Sequence, residues 1–206
     1  MMQPLSYLAL GDSYTIGEGI EARGSWPMQL AQALREAGIA IEDPHIIASD
    51  GWTTDELSGA MDAAAPLNTW DFVSLLIGVN NQYRGRDVDD YLGEFNRLLQ
   101  RAIALADGRA DRVLVLSIPD WGITPFAVAS GRDLGQIADE LDAYNAAARE
   151  LCDAQSVAFV DITDVSRARG AAPDMLADDG LHPSAAMYTE WTRLVLHMAM
   201  KSLQYT

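Results

Sequence analysis

Short apolar runs alternate with longer helical patterns along the chain, and this alternation constrains the fold more than any other feature. The runs are rich in Val, Ile and Leu and are flanked by Gly, Pro or Asp, as expected of strands buried on both faces. Strands are predicted at residues 5–10, 45–48, 72–77, 112–118 and 157–162. Helices are predicted at residues 27–37, from Thr53 onward, and at 88–106, 134–154 and 184–203. This order predicts a three-layer α/β fold around a parallel sheet.

The chain length and the absence of a linker predict one domain over residues 1–206. Thr53 and Glu56 have the spacing of a capping box, which predicts where the second helix begins. The longest irregular stretch covers residues 119–133 and contains two aromatic side chains. Loops of that length in compact domains are usually functional, so we expect this one to form a wall of a pocket.

Charge and cysteine content narrow the partners that the chain can have. A formal net charge of -16 disfavours nucleic acid and membrane surfaces, because phosphates and anionic lipids are repelled. No apolar run approaches the ~20 residues of a membrane span. The first run lacks the flanks of a signal peptide, so a cytoplasmic location is expected unless a leader has been trimmed. The single cysteine, Cys152, is expected to be a buried thiol. No pattern indicates an oligomeric state.

Polar residues follow the predicted strands, at the edge where open α/β sheets bind ligands. Ser13 comes directly after the first strand and is the candidate nucleophile, since a base there can take its proton. A helix N-cap is the commoner role for serine at such a position. Whether Ser13 is a nucleophile or an N-cap therefore depends on which other polar groups accompany it.

His182 is the candidate base among three histidines. His45 opens an apolar strand and is expected to be structural, and His197 lies within the last helix and is expected to pack or to face solvent. Asp179 precedes His182 by three residues in a glycine-containing turn, and this spacing can bring its carboxylate to Nδ1 of the imidazole. Asp178 is a rival for that role, and Asp179 can alternatively cap the following helix.

Two further residues are candidate donors to an oxyanion, together with the N–H of Ser13. Gly51 offers a backbone N–H without a side chain to block a substrate, and Asn80 offers an amide. Taken singly, Gly51 is equally a turn glycine and Asn80 a strand-terminating residue. Their position on the same rim as Ser13 and His182 favours a catalytic site.

The sequence resembles the SGNH hydrolase superfamily, the GDSL-like lipases and esterases. Four blocks carry the resemblance, in order along nearly the whole chain: Gly11-Asp12-Ser13, Gly51, Gly78-Val79-Asn80-Asn81 and Asp179-Gly180-Leu181-His182. The resemblance implies a flavodoxin-like sheet of five parallel strands in the order 2-1-3-4-5. It also implies Ser13, His182 and Asp179 as the catalytic residues, and Ser13, Gly51 and Asn80 as the oxyanion hole.

Two positions depart from the family pattern. Tyr14 replaces the leucine of the GDSL block and is expected to pack locally without touching the chemistry. Asn81 stands where the third block often has aspartate, so hydrogen bonding is kept and a charge is lost.

The predicted activity is ester hydrolysis through an acyl-enzyme, without cofactor or metal, with a rate that rises as His182 loses its proton near neutral pH. Small, short-chain acyl esters are the expected substrates; a sugar O-deacetylase, a thioesterase, a lysophospholipase and a non-catalytic binding module stay open. The Gly-x-Ser-x-Gly of α/β-hydrolases and the glycine-rich phosphate loops are missing from the sequence. Arg84 is expected to be solvated. Candidate substrate contacts are Trp52, Asn81, Tyr83, Trp121 and Phe126.

Overall fold

The sheet confirms the predicted architecture. The computed structural model describes residues 3–204. Within them, five parallel strands lie in the order β2–β1–β3–β4–β5. The strands are β1 (Tyr7–Asp12), β2 (His45–Ser49), β3 (Phe72–Leu76), β4 (Val113–Leu116) and β5 (Ala158–Val160).

Helices pack on the sheet in two groups and complete the three layers. In one group α9 packs against α2 and α8, and in the other α5 packs against α3 and α7. The helices of the described residues are α1 (Ser13–Ile16), α2 (Trp26–Glu36), α3 (Thr54–Ala63), α4 (Val79–Tyr83), α5 (Val88–Leu105), α6 (Pro125–Ser130), α7 (Leu134–Ala154), α8 (Thr163–Arg169) and α9 (Ala185–Gln204).

Strand register brings the ends of β1, β2 and β3 to one edge of the sheet. Asp12 at the end of β1 pairs with Ser49 of β2, and Gly11 pairs with Leu76 of β3. All residues of β1 and β3 are buried, whereas the edge strands β2 and β5 are partly exposed. The loops that follow the inner strands are therefore anchored in the most tightly packed part of the core.

Gly11 shows how closely β1 is packed just before Ser13. A Cβ at Gly11 would lie 2.1 Å from Thr15 Oγ1 and 2.5 Å from the carbonyl oxygen of Leu76. The second of these atoms belongs to the backbone of β3 and has little freedom to move. Only glycine therefore lets α1 fold back against the end of β1.

Two local predictions are confirmed by the packing. The Thr53 backbone N–H donates to the Glu56 carboxylate at 2.9 Å, the reciprocal half of a capping box. Cys152 is fully buried in α7, and this burial raises the pKa of its thiol to about 12.

The short helices were not predicted from the sequence. α1, α4 and α8 hold four, five and seven residues, too few for a helical period to show in the sequence. The stretch predicted as irregular between residues 119 and 133 is also partly helical. It contains α6 and a 3₁₀ turn at Trp121–Ile123, and Pro125 opens α6 while the Thr124 side chain caps it.

Candidate active site

A cavity of about 290 Å³ opens at the carboxyl ends of the strands. It collects most of the residues that the sequence singles out, from five separate loops of the chain. Its lining is Ser13, Tyr14, Asp50, Gly51, Val79, Asn80, Tyr83, Trp121, Phe126, Leu181 and His182. Ser13 and His182 therefore share one wall, although they lie at opposite ends of the sequence.

Ser13 is fixed by the turn between β1 and α1. The Asp12 side chain caps α1 by accepting the N–H of Tyr14 at 3.1 Å, and the Ser13 carbonyl accepts the N–H of Gly17 at 3.1 Å. Asp12, and not Ser13, therefore holds the N-cap position that the sequence offered as the alternative role for Ser13. Ser13 lines the cavity, and within residues 3–204 its hydroxyl makes no hydrogen bond that would compete with a base.

Asp179 holds the imidazole of His182 at one nitrogen. The two side chains meet at 2.6 Å between Oδ2 and Nδ1, while Oδ1 accepts the backbone N–H groups of Leu181 and His182 at 2.9 Å each. A carboxylate only accepts, so Nδ1 carries the proton and Nε2 is left with a free lone pair. Asp178 is exposed and does not contact the ring.

The ionisation of Asp179 follows from these bonds. Partial burial alone would raise the pKa of its carboxyl group, but the hydrogen bonds from the His182 ring and from the backbone of Leu181 and His182 outweigh it and lower the pKa. Asp179 therefore stays charged at neutral pH, as a partner that keeps the Nδ1 proton in place requires.

Gly51 and Asn80 lie on neighbouring loops at the cavity. Gly51 has a φ of 75°, the left-handed region that favours glycine, in the turn that follows β2. Asn80 stands in the first turn of α4, and its Nδ2 donates to the Trp52 carbonyl at 2.9 Å. An amide NH₂ has two hydrogens, so one N–H of Asn80 remains available to the cavity.

The predicted substrate contacts divide into two sets. Tyr83, Trp121 and Phe126 form an aromatic wall of the cavity, with ring centroids 5.3 Å apart for Tyr83 and Trp121 and 6.2 Å apart for Trp121 and Phe126. Trp52 does not line the cavity, because its side chain packs against the core. Asn81 does not line it either and is buried against α3, where Oδ1 accepts the N–H of Thr54.

The other two histidines lie away from the cavity. His45 stacks on Trp70 at the start of β2, with ring centroids 5.4 Å apart, and His197 is exposed on α9. His45 therefore packs as expected, and His197 faces solvent, one of the two positions expected for it.

Two residues differ in part from expectation. Tyr14 is buried and packs locally, as expected, but it also lines the cavity, with its ring centroid 5.8 Å from that of His182. Arg84 is not simply solvated, because its guanidinium donates to the Gly51 carbonyl at 2.6 Å and pairs with Glu56 at 3.1 Å. Its position one helical turn after Asn80 is the sequence signal that links it to the site.

Asp12 introduces a buried carboxyl group directly beside Ser13. It is fully buried, and its Oδ2 has no hydrogen-bond partner in the described part of the chain. Burial and, to a smaller extent, the negative charge of Asp50 raise the pKa of Asp12 to about 8, against the opposing bond from Tyr14. The neutral form of Asp12 is thus favoured over much of the pH range in which proteins operate.

Within residues 3–204, no group of three or more His, Cys, Asp and Glu side chains is arranged to hold a metal ion. The helices in this range also include none that is both long enough and apolar enough to cross a membrane.

Solved structures with the same fold cover almost the whole chain. TesA shares 18% identity over 96% of this chain and 99% of its own, with a TM-score of 0.73. A lipase/acylhydrolase from Enterococcus faecalis shares 19% over 95% and 94%, with a TM-score of 0.68. Axe2, an acetylxylan esterase from Geobacillus stearothermophilus, shares 19% over 99% and 96%, with a TM-score of 0.66. Likeness at these identities shows the fold alone.

The sequence also matches a family directly. No curated protein sequence matches the chain. The family description of the GDSL-like lipases and acylhydrolases, in contrast, matches residues 9–189, from β1 into α9. This range includes all four sequence blocks that line or support the cavity. The chain therefore belongs to the GDSL-like Lipase/Acylhydrolase family and is a serine carboxylic ester hydrolase.

Proposed function

We propose that the protein hydrolyses small acyl esters through an acyl-enzyme on Ser13, with His182 as base and Asp179 as the residue that orients it. The observation that carries this proposal is the pair of contacts around His182. The carboxylate at Nδ1 leaves Nε2 as the only proton acceptor of the ring, and the ring shares the cavity with Ser13. The Ser13 hydroxyl and the ring come into hydrogen-bond range when substrate fills the cavity, as catalytic bonds commonly do.

The reaction proceeds in two steps. His182 takes the Ser13 proton as the serine oxygen attacks the ester carbonyl, and it then returns that proton to the leaving alcohol. Water, deprotonated by the same ring, attacks the acyl-enzyme, and the ring returns that proton to the Ser13 oxygen as the acid is released. Negative charge on the carbonyl oxygen is stabilised in each step by the N–H groups of Ser13 and Gly51 and by the Asn80 amide.

Cavity size and lining support a small substrate. A volume of about 290 Å³ is at the lower end of the ~300–1,000 Å³ typical of small-molecule sites. The aromatic wall of Tyr83, Trp121 and Phe126 suits a short apolar acyl chain. We propose that one domain covering the chain carries this activity.

A second candidate is the deacetylation of carbohydrates. A polar cavity of about 460 Å³ lies on the other side of Tyr83, and its lining includes Gln82, Gln136, Asp133 and Arg132. Amide and charged side chains beside an aromatic ring suit a leaving group rich in hydroxyls. One of the structural relatives is an acetylxylan esterase, which is consistent with this candidate.

Hydrolysis of p-nitrophenyl esters from acetate to octanoate, by the wild type and by Ser13→Ala, tests the proposal. We expect hydrolysis that is fastest for the shortest acyl chains and that disappears in Ser13→Ala, with an unchanged circular dichroism spectrum. A fluorophosphonate probe should label the wild type at Ser13, as read by mass spectrometry of the peptides.

One further assay distinguishes small acyl esters from acetylated carbohydrates as the substrate. An acetylated xylo-oligosaccharide that is deacetylated with a kcat/KM well above that of p-nitrophenyl acetate supports the carbohydrate substrate. A wild type that is no faster than Ser13→Ala on every ester, including the acetylated sugar, contradicts the proposed activity.

A further inference from the structure

The loop that carries Gly51 is fastened at three consecutive residues. Arg84 Nη2 donates to the Gly51 carbonyl at 2.6 Å, Asn80 Nδ2 donates to the Trp52 carbonyl at 2.9 Å, and the Thr53 N–H donates to a carboxylate of α3. The Gly51 N–H itself has no acceptor among the described residues, so it stays available at the cavity.

Gly51 needs such a restraint because of its place in the backbone. It has no Cβ and a φ of 75°, so both of its dihedrals rotate more freely than those of other residues. Within the turn, the backbone bond from the Trp52 N–H to the Ser49 carbonyl is long, at 3.4 Å. The Gly51 carbonyl accepts a charge-assisted bond from the Arg84 guanidinium, and such bonds are stronger than those between neutral groups.

Arg84 connects the two loops that carry the proposed oxyanion donors. It follows α4 directly, and its backbone N–H donates to the Asn80 carbonyl at 3.0 Å. Its side chain then reaches the Gly51 carbonyl and Glu56. One residue is therefore bonded to both Asn80 and Gly51 without lining the cavity that holds Ser13, although it lines the polar cavity beside Tyr83.

We propose that Arg84 is a positioning residue for ester hydrolysis: by holding the Gly51 carbonyl it restrains the backbone dihedrals of Gly51, so that the Gly51 N–H and the Asn80 amide point at the same oxyanion. This inference rests on the proposed function. Arg84 acts through Gly51 and touches no reacting atom. Its removal lets Gly51 rotate, and the carbonyl oxygen of the tetrahedral intermediate then meets one well-aimed donor fewer.

A purely structural role for Arg84 makes a different prediction. The Arg84 and Glu56 side chains are 43% and 39% exposed, and ion pairs at that exposure add little to stability. Arg101 offers a matched control, because it also donates to a backbone carbonyl, that of Ser58, and to a carboxylate, that of Asp62, on α3. It lies outside the cavity and outside the Gly51 loop.

The test compares Arg84→Ala, Arg84→Lys and Arg101→Ala on p-nitrophenyl acetate. For Arg84→Ala we expect kcat to fall about 10- to 100-fold, with KM changed less than about twofold, because a misaimed donor affects the transition state and not substrate binding. Arg84→Lys should keep part of the kcat that Arg84→Ala loses. Methylguanidinium added to Arg84→Ala should restore part of that kcat. Arg101→Ala should keep kcat within about twofold of the wild type, with a similar small change in Tm.

Three results would overturn the inference. They are a kcat of Arg84→Ala equal to that of the wild type, a higher KM at unchanged kcat, and an equal loss of kcat in Arg101→Ala. The second would make Arg84 a substrate-binding residue, and the third would make its effect a general one on α3. Each is distinct from failure of the proposed function, in which the wild type itself is no faster than Ser13→Ala.

Discussion

At the scale of single residues, the contact between Asp179 and His182 decides which nitrogen of the ring can act as base. In Asp179→Asn the amide can turn its NH₂ toward Nδ1, which moves the ring proton to Nε2 and removes the acceptor that Ser13 needs. We expect kcat to fall on the order of 10²–10⁴-fold with little change in KM. Steady-state kinetics on a short-chain p-nitrophenyl ester measure this.

Asp178 provides the control for that variant. It is the neighbouring residue and carries the same charge, but it is exposed and does not contact the ring. Asp178→Asn should therefore retain the activity of the wild type. An equal loss in both variants would mean that the charge of the turn matters and the hydrogen bond to Nδ1 does not.

Asn81 shows why this chain has an amide where the family often has aspartate. Its Nδ2 donates to the Thr54 hydroxyl at 2.6 Å, and that hydroxyl gives its own proton to Glu94. An aspartate at this buried position has no hydrogen to donate, so it would compete with Glu94 for the proton of Thr54.

Asn81→Asp should therefore lower the free energy of unfolding by about 1–3 kcal/mol at neutral pH, and by less at acidic pH, where a carboxyl group is protonated. Urea unfolding at both pH values measures this. Asn96→Asp is the control, since Asn96 uses only its Oδ1, as an acceptor from Gln155. A loss of stability that is the same in both variants would contradict the role given to Thr54.

Contacts between residues that are close in the sequence could be predicted, whereas contacts that join distant loops could not. The turn from Asp179 to His182 spans three residues, so its hydrogen bond was predictable. Arg84 was not expected to bond Gly51, because a bond to a backbone carbonyl 33 residues away leaves no sequence pattern. Trp52 carries an aromatic ring at the expected loop, but its direction depends on core packing.

At the scale of elements, β1 depends on the absence of a side chain at Gly11. In Gly11→Ala the new methyl group meets the Leu76 carbonyl, so β1 must separate from β3 or α1 must shift. We expect the free energy of unfolding to fall by about 1–3 kcal/mol or more, and the esterase activity to fall with it. Urea unfolding and the p-nitrophenyl acetate assay measure the two effects.

Glycines in the middle of helices are matched controls for Gly11. Gly59 in α3 and Gly93 in α5 have nothing within 4 Å of an added Cβ. Alanine at either position should raise the free energy of unfolding by about 0.5–1 kcal/mol. If Gly11→Ala is as well tolerated as these two, the close packing of β1 against Leu76 is not essential.

The long helices and the buried strands could be predicted because their apolar residues follow a regular pattern over many positions. The helix over 134–154 was predicted at the bounds that the structure gives. β1 begins at Tyr7 and not at residue 5, since Leu5 forms an isolated bridge with Ile41. The sheet order came from the family resemblance, because strand order is set by contacts between distant segments.

At the scale of the whole molecule, the buried Asp12 links folding stability to pH. Its folded pKa of about 8 lies above the ordinary value near 4 for an unfolded aspartate. The folded state therefore holds an extra proton between these two values, and stability falls as the pH rises through that window.

An asparagine at position 12 is neutral, like the protonated carboxyl group of Asp12, and its side-chain oxygen can still accept a hydrogen bond from the Tyr14 N–H. We expect the Tm of Asp12→Asn, relative to that of the wild type, to increase as the pH is raised from about 5 to about 8. Above about pH 8 this difference in Tm should change little. Thermal unfolding across this range measures the difference. Asp43→Asn, at an exposed ion pair with Arg35, is the control and should show no such trend. A constant gap in Tm for Asp12→Asn would mean that Asp12 is charged in the folded protein.

The distance between Ser13 and His182 along the chain has a consequence for how activity appears during biosynthesis. The proposed base His182 and its carboxylate Asp179 stand within a single turn, but the proposed nucleophile Ser13 follows the first strand. The two meet once α9 has docked on α2, where Gln29 contacts both Ala185 and Thr189. If Ser13 and His182 act as proposed, we expect a ribosome-bound chain that still lacks α9 to be inert, and hydrolysis to begin only after α9 has been made and has docked.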